Sequence, residues 1–200
     1  MFDLIFLLKT FGYLGLFGIV FAESGLFIGF FLPGDSLLFT AGILASQGYL
    51  NILWVVLLCV IGAITGDSFG YWFGRKVGPA LFKREDSILF HKKHLDQARV
   101  FYERHGPQTI ILARFMPVVR TFAPILAGVG QMRYATFVFY NVIGGLAWAV
   151  TIPLLGYYLG TRVPHIDRYL APVIIGIILL SVLVPVWHIL QERKTKNQKL

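Results

Sequence analysis

Five ionisable side chains stand in otherwise apolar sequence: Glu23, Asp35 and Asp67 on the acidic side, Arg114 and Arg120 on the basic side. The arginines belong to RFMPVVRTFAP, with QTIILA before them and ILAGVG after. A guanidinium stays protonated at physiological pH and grips phosphate oxygens with a planar fork of donors. A carboxylate in low dielectric is driven towards its neutral form, so it takes up and releases protons nearer neutrality. Together, such groups can bind an anionic head group and couple its release to a proton. The simpler alternative is that opposite charges neutralise one another and lock two segments together. On an ideal helix, positions 114 and 120 point roughly 120° apart, too far to share a ligand easily. Pro117 between them allows a break that brings both to one site, and exposed N–H groups at such a break add an anion-binding feature.

The elements that position these charges are membrane elements. Of the 200 residues, 56% are hydrophobic and 14% charged, with a mean hydropathy of +0.71. Soluble domains carry about 25% charged residues, so the composition predicts one integral membrane domain over 1–200. The formal charge of +8 does not imply a nucleic-acid partner. Of the 18 Lys and Arg, eight lie between Arg75 and Arg104 and four in the tail ERKTKNQKL. Basic clusters flanking apolar segments set orientation and suit anionic lipid head groups. The apolar N-terminus reads as retained, not as a cleaved signal peptide. Cys59, the lone cysteine, forms no intramolecular disulfide.

A helix needs about 20 apolar residues to cross the hydrocarbon core. Ile52–Phe73, Tyr134–Leu159 and Tyr169–Leu190 qualify. Phe11–Leu32 contains Glu23 and runs into Pro33, Gly34 and Asp35, while Thr109–Gly130 is interrupted by Arg114, Pro117, Arg120 and Pro124. Broken backbone at membrane depth is tolerated only inside protein or beside water. These two regions are therefore expected to be re-entrant hairpins, about 20–48 and about 107–131, with Pro33, Gly34, Pro117 and Pro124 as their breaks. Between them, 86–105 reads as a basic amphipathic helix on the cytoplasmic membrane face, stopped by Gly106-Pro107.

A repeat runs through this pattern. GYWFGRKVG at 70–78 matches GYYLGTRVP at 156–164, and Ala41-Gly42-Ile43 matches Ala127-Gly128-Val129, both at an offset of 86; Phe31-Leu32-Pro33 matches Phe115-Met116-Pro117 at 84. The expected fold is an all-α membrane protein: an inverted repeat of re-entrant hairpin plus transmembrane helix, over 11–78 and 107–160. The amphipathic linker helix and a C-terminal transmembrane helix, 169–190, complete it. Inversion puts the basic linker and basic tail on one side, the cytoplasmic one, and the loop 161–168 on the other. If the hairpins face each other from opposite leaflets, Glu23 and Asp35 meet Arg114 and Arg120. Asp67, expected near the cytoplasmic end of its span, would bond Ser68 or reach Arg75, and a capping role competes with a functional one. His91 and His94 lack a third ligand, so no metal is expected. No cofactor motif or nucleophile–base pair is present, and an enzyme is not expected.

FAESGLFIGFFLPGDSLLFTAG, GDSFGYWFGRKVG and RFMPVVRTFAPILAGVGQM, the last followed by a Gly-rich span, resemble the bacterial DedA family of the VTT-domain superfamily. The resemblance covers nearly the whole chain. It implies a protein of the bacterial cytoplasmic (inner) membrane with two opposed re-entrant hairpins; the apolar spans give a multi-pass chain, and the basic tail puts its C-terminus inside. The resemblance further implies return of undecaprenyl phosphate across the membrane, dependence on the proton motive force, and a part in envelope homeostasis. On this resemblance Glu23 and Asp35 are the important acids and Arg114 and Arg120 the essential arginines. The leading expectation is a polyprenyl-phosphate flippase whose arginines hold the phosphate and whose carboxylates exchange protons. Its partners would be undecaprenyl phosphate, membrane phospholipids and protons. Rival expectations are a small-cation/proton antiporter, a general phospholipid scramblase, and a non-transporting organiser whose basic linker recruits partners.

Overall fold

The computed structural model describes residues 4–26, 34–81 and 106–163. Pro33, the expected linker helix 86–105 and the expected C-terminal helix 169–190 lie outside them. The described chain is helical and contains no strand: α1 (Leu4–Gly25), α2 (Gly34–Ser46), α3 (Ile52–Leu81), α4 (Thr109–Ala113), α5 (Pro117–Val129) and α6 (Tyr134–Arg162). Within α3 and α6, Ile52–Val77 and Tyr134–Arg162 are long and apolar enough to cross a membrane. At 1.5 Å per residue each measures about 40 Å, more than the roughly 30 Å hydrocarbon core. Both helices outrun the expected ends at Phe73 and Leu159, because intrahelical hydrogen bonding continues after the apolar run stops.

Local sequence accounts for the breaks. Gly12 interrupts α1 with a φ of 53°, which glycine adopts without a Cβ clash. Met116 is extended (φ −115°, ψ 104°) between α4 and α5, and Pro117 opens α5, where its missing N–H costs nothing. Pro124 was expected to break the second hairpin, yet α5 continues through it to Val129. The ring removes the N–H that would have bonded the Arg120 carbonyl, a loss that packing against α3 outweighs.

The contacts give the helix directions. Backbone of α1 meets α3 at Phe17 against Gly62 and at Phe21 against Gly66, with Gly25 against both Gly66 and Gly70, so the two helices run parallel. α2 must return between them: it begins at Gly34 beside Glu23, and the chain after it donates from the Asn51 N–H to the Tyr13 hydroxyl at 2.8 Å. α6 runs opposite to α3, since Phe137 stacks on Tyr71 whereas the later Gly145 faces the earlier Ile64. One core gathers Leu16, Val20, Leu38, Cys59, Ala63 and Trp148, and a smaller one Tyr71, Ile110, Ala127 and Phe137.

The two short helices pack on the long ones in a reciprocal way. A Cβ on Gly42 of α2 would lie 2.0 Å from the Pro153 carbonyl oxygen of α6, and one on Gly128 of α5 would lie 2.0 Å from that of Tyr71 in α3. In return, a Cβ on Gly156 would lie 2.2 Å from the Phe39 oxygen, and one on Gly74 would lie 2.1 Å from the Ile125 oxygen. The short helices thus correspond at an offset of 86 (Gly42 with Gly128, Phe39 with Ile125), but the long ones correspond at 82 (Tyr71 with Pro153, Gly74 with Gly156). The two GY..G motifs, matched at 86 in sequence, therefore sit one helical turn out of register. Both motifs hold two glycines four residues apart (Gly70 and Gly74, Gly156 and Gly160), and that spacing allowed the match.

This register makes a stability prediction. Gly74→Ala and Gly156→Ala push a methyl into backbone and should each cost about 1–3 kcal/mol. Gly70→Ala meets only ordinary contacts at 3.4 Å, and Gly18→Ala meets nothing within 4 Å, so both should melt close to the parent. Thermal unfolding of the purified protein in detergent reads the difference.

Candidate functional site

The charged residues converge where the short helices end. Glu23 lies near the C-terminus of α1, Asp35 in the first turn of α2, Arg114 directly after α4 and Arg120 in the first turn of α5. Asp67 and Trp148 stand near the midpoints of α3 and α6. From there either end of the long helices is about 20 Å away. Glu23, Asp67, Arg114 and Arg120 are buried, whereas the Asp35 side chain keeps 21% of its surface.

Arg120 joins three helices. Its Nη1 donates to Asp35 Oδ1 at 2.6 Å and its Nη2 to Glu23 Oε1. Gly34 makes room for that carboxylate, because a Cβ there would overlap Glu23 Oε2 at 1.3 Å. Arg114 is held from the other side. Its Nη2 donates to Asp67 Oδ2, to Asn141 Oδ1 at 2.8 Å and to the Ala63 carbonyl at 3.2 Å. Asn141 in turn donates to the Ile64 carbonyl at 3.1 Å, which fixes its amide so that oxygen faces the guanidinium.

Trp148 links the two halves. Its indole N–H donates to Asp35 Oδ1 at 2.8 Å, and its ring centre lies 4.7 Å from the Arg120 guanidinium carbon and 5.7 Å from that of Arg114. A desolvated cation on an indole face gains about 2 kcal/mol, so one side chain steadies both arginines. Three buried atoms make no hydrogen bond within the protein: Glu23 Oε2, Arg114 Nε and Arg120 Nε. Each guanidinium therefore keeps donor capacity. The cluster holds three carboxylates against two guanidiniums, an excess of one negative charge when all are ionised.

The arrangement differs from the expected one at three points. Both carboxylates of the first broken region pair with Arg120 alone, and Arg114 pairs with Asp67. Asp67 lies mid-helix and not at a helix end; Ser68 bonds the Ile64 carbonyl and Arg75 the Tyr71 hydroxyl, so neither is its partner. The misreading placed the end of the span too early, because α3 carries its polar turn well inside its length. Asn141 and Trp148 were not among the expected site residues. Their signals were available: an amide in an apolar span needs a partner, and a tryptophan at mid-span lies away from the interfacial belt where that residue concentrates. Among the described residues no group of His, Cys, Asp and Glu forms a metal-binding set.

Comparison with known proteins gives the family. The VTT domain matches residues 32–158. The chain is 48% identical to Protein DedA of Escherichia coli K12 over 181 residues, covering 90% of this chain and 82% of that protein. It is 44% identical to an uncharacterized membrane protein of Mycobacterium tuberculosis over 171 residues (84% and 74% of the two chains). It is also 32% identical to the inner membrane protein YqjA of E. coli K12 over 175 residues (88% and 79%). No solved structure matches. The relatives' names and the apolar helices together identify a membrane protein.

The Arg114–Asp67 pair can be tested by a double-mutant cycle. Asp67→Leu strands a buried cation and should cost about 3–5 kcal/mol, while Asp67→Leu with Arg114→Leu should recover most of that loss. Thermal unfolding in detergent measures both. A helix-end role for Asp67 would instead give additive losses.

Proposed function

The chain belongs to the DedA family of VTT-domain membrane proteins, and from that premise we propose that it moves a polyprenyl-phosphate carrier, undecaprenyl phosphate, across the bacterial cytoplasmic membrane. The observation that carries this reading is the pair of buried guanidiniums flanking Trp148, each with an unpartnered Nε, midway along both long helices. Guanidiniums in that setting are suited to phosphate oxygens and desolvated enough to bind them strongly.

Two re-entrant hairpins entering from opposite faces give the head group its route. The first is α1 with α2, and the second is α4 with α5. The reciprocal seating of α2 on α6 and α5 on α3 supports an inverted repeat. The basic linker and tail would face the cytoplasm under the positive-inside rule, with the C-terminus inside. In the resting state Glu23 and Asp35 occupy Arg120. A phosphate entering displaces them, and because the cluster already has one carboxylate too many, those displaced groups take up protons. Head-group entry is thereby coupled to proton uptake, which links transport to the proton motive force. Asp35, the least buried of the five, is the first carboxylate to meet water. The lipid tail stays in the bilayer while its head passes between the hairpins.

The same excess of carboxylate supports a second reading, exchange of a small cation for protons, with the arginines structural. A general phospholipid scramblase would use the same route without selecting the carrier.

Leaflet exchange of a labelled polyprenyl phosphate in vesicles separates the three. Arg120→Ala should fall to about a tenth of the parent rate or less, with a buried charge-assisted contact removed. An unchanged rate in that variant overturns the phosphate role. Equal exchange of ordinary phospholipid supports the scramblase, and a cation-dependent pH change in vesicles without the carrier supports the antiporter.

A further inference from the structure

Away from the buried cluster, an open groove of about 520 Å³ is lined by Ser68, Tyr71, Trp72, Arg75 and Lys76 of α3 and by Tyr134 of α6. Two cations and three aromatic rings line it, and no carboxylate is among these residues. The Arg75 Nη1 donates to the Tyr71 hydroxyl at 3.0 Å, and that hydroxyl donates to the Met132 carbonyl in the turn before α6. The guanidinium is thus aimed by two successive bonds. With five N–H donors it has most of its capacity left. Lys76 Nζ sits 4.4 Å from the centre of the Trp72 ring. Trp72, Arg75, Lys76 and Tyr134 are all exposed.

The groove lies at one end of both long helices. Arg75 and Lys76 come just before the close of the apolar span Ile52–Val77, and Tyr134 opens the other. That is the depth at which lipid phosphates lie, and where aromatic rings and cations meet them. A cation belt alone would suffice for anchoring. Arg162 over Tyr158, 5.4 Å from its ring centre near the end of α6, is such a pair. The α3 groove differs in being concave, shared between two helices, and fitted with an oriented guanidinium. It also leads inward: Ser68 at its deep end is about two helical turns from Lys76 and adjacent in sequence to Asp67 of the buried cluster.

We propose that this groove binds the phosphate of an anionic phospholipid from the leaflet at which α3 ends. Arg75 and Lys76 hold the phosphate, and Trp72 and Tyr134 cover the glycerol and upper acyl chains. The exposed rings favour a lipid over free phosphate, since an ion would gain nothing from them. The site involves none of the transport arginines, so it stands or falls apart from the transport reading.

Native mass spectrometry of the full chain in detergent, titrated with phosphatidylglycerol or phosphatidylcholine, tests it. The parent should bind phosphatidylglycerol about tenfold more tightly than phosphatidylcholine, the worth of one good charged contact. Arg75→Gln with Lys76→Gln should abolish that preference, each single variant should reduce it, and Arg75→Lys with Lys76→Arg should largely keep it. Arg120→Ala should bind phosphatidylglycerol as the parent does, even where it no longer exchanges carrier lipid. Unchanged preference in the double glutamine variant overturns the proposal. So does equal binding of the two lipids by the parent, or displacement of phosphatidylglycerol by millimolar inorganic phosphate.

Discussion

Taking a charged side chain out of water costs several kcal/mol unless opposite charge and hydrogen bonds replace the lost solvent. In this protein five such groups converge beside the midpoints of the two long helices, and the counter-charges come from different segments. Arg120 on α5 needs Glu23 from α1 and Asp35 from α2, while Arg114 needs Asp67 from α3 and Asn141 from α6. None of the segments that carry these charges neutralises them alone. The helices must therefore assemble around the cluster, and the cluster specifies how they assemble.

That demand explains the glycines. The carboxylates and guanidiniums meet only if the short helices sit close against the long ones. At Gly42, Gly74, Gly128 and Gly156 one backbone lies against another with no side chain between. Helices in lipid gain little from burying apolar surface, so close van der Waals packing of this kind is a main source of their association. Gly34 serves the cluster directly by leaving space for the Glu23 carboxylate. Packing and electrostatics here are two descriptions of one constraint.

The cluster is also incomplete as a purely structural device. A lock would balance its charges and satisfy its donors, yet one carboxylate is in excess and two buried Nε groups lack partners. Trp148 holds the arginines by their faces, which leaves edges available for other bonds. Such a site is held firmly enough to persist and is unsaturated enough to exchange ligands.

Much of this was legible along the chain. Apolar runs of sufficient length, prolines and charges inside two of them, and basic clusters between them dictate an all-helical membrane protein with broken segments, because backbone in lipid must satisfy its own hydrogen bonds. The residue types also marked Glu23, Asp35, Arg114 and Arg120 as costly and therefore purposeful. What remained hidden was partnership. Asp67 looked like a helix-end residue because GDSFGYWFG is locally polar, and only its burial between α3, α6 and Arg114 assigns it to the cluster. The repeat was visible, but glycines four residues apart in both motifs let them align one helical turn out of register. Sequence by itself determined which groups had to be neutralised, since that follows from composition and residue type. Tertiary structure decided which charge answers which, and that Asn141 and Trp148 bind them together, because hydrogen-bond partners depend on distances between helices that no local pattern encodes.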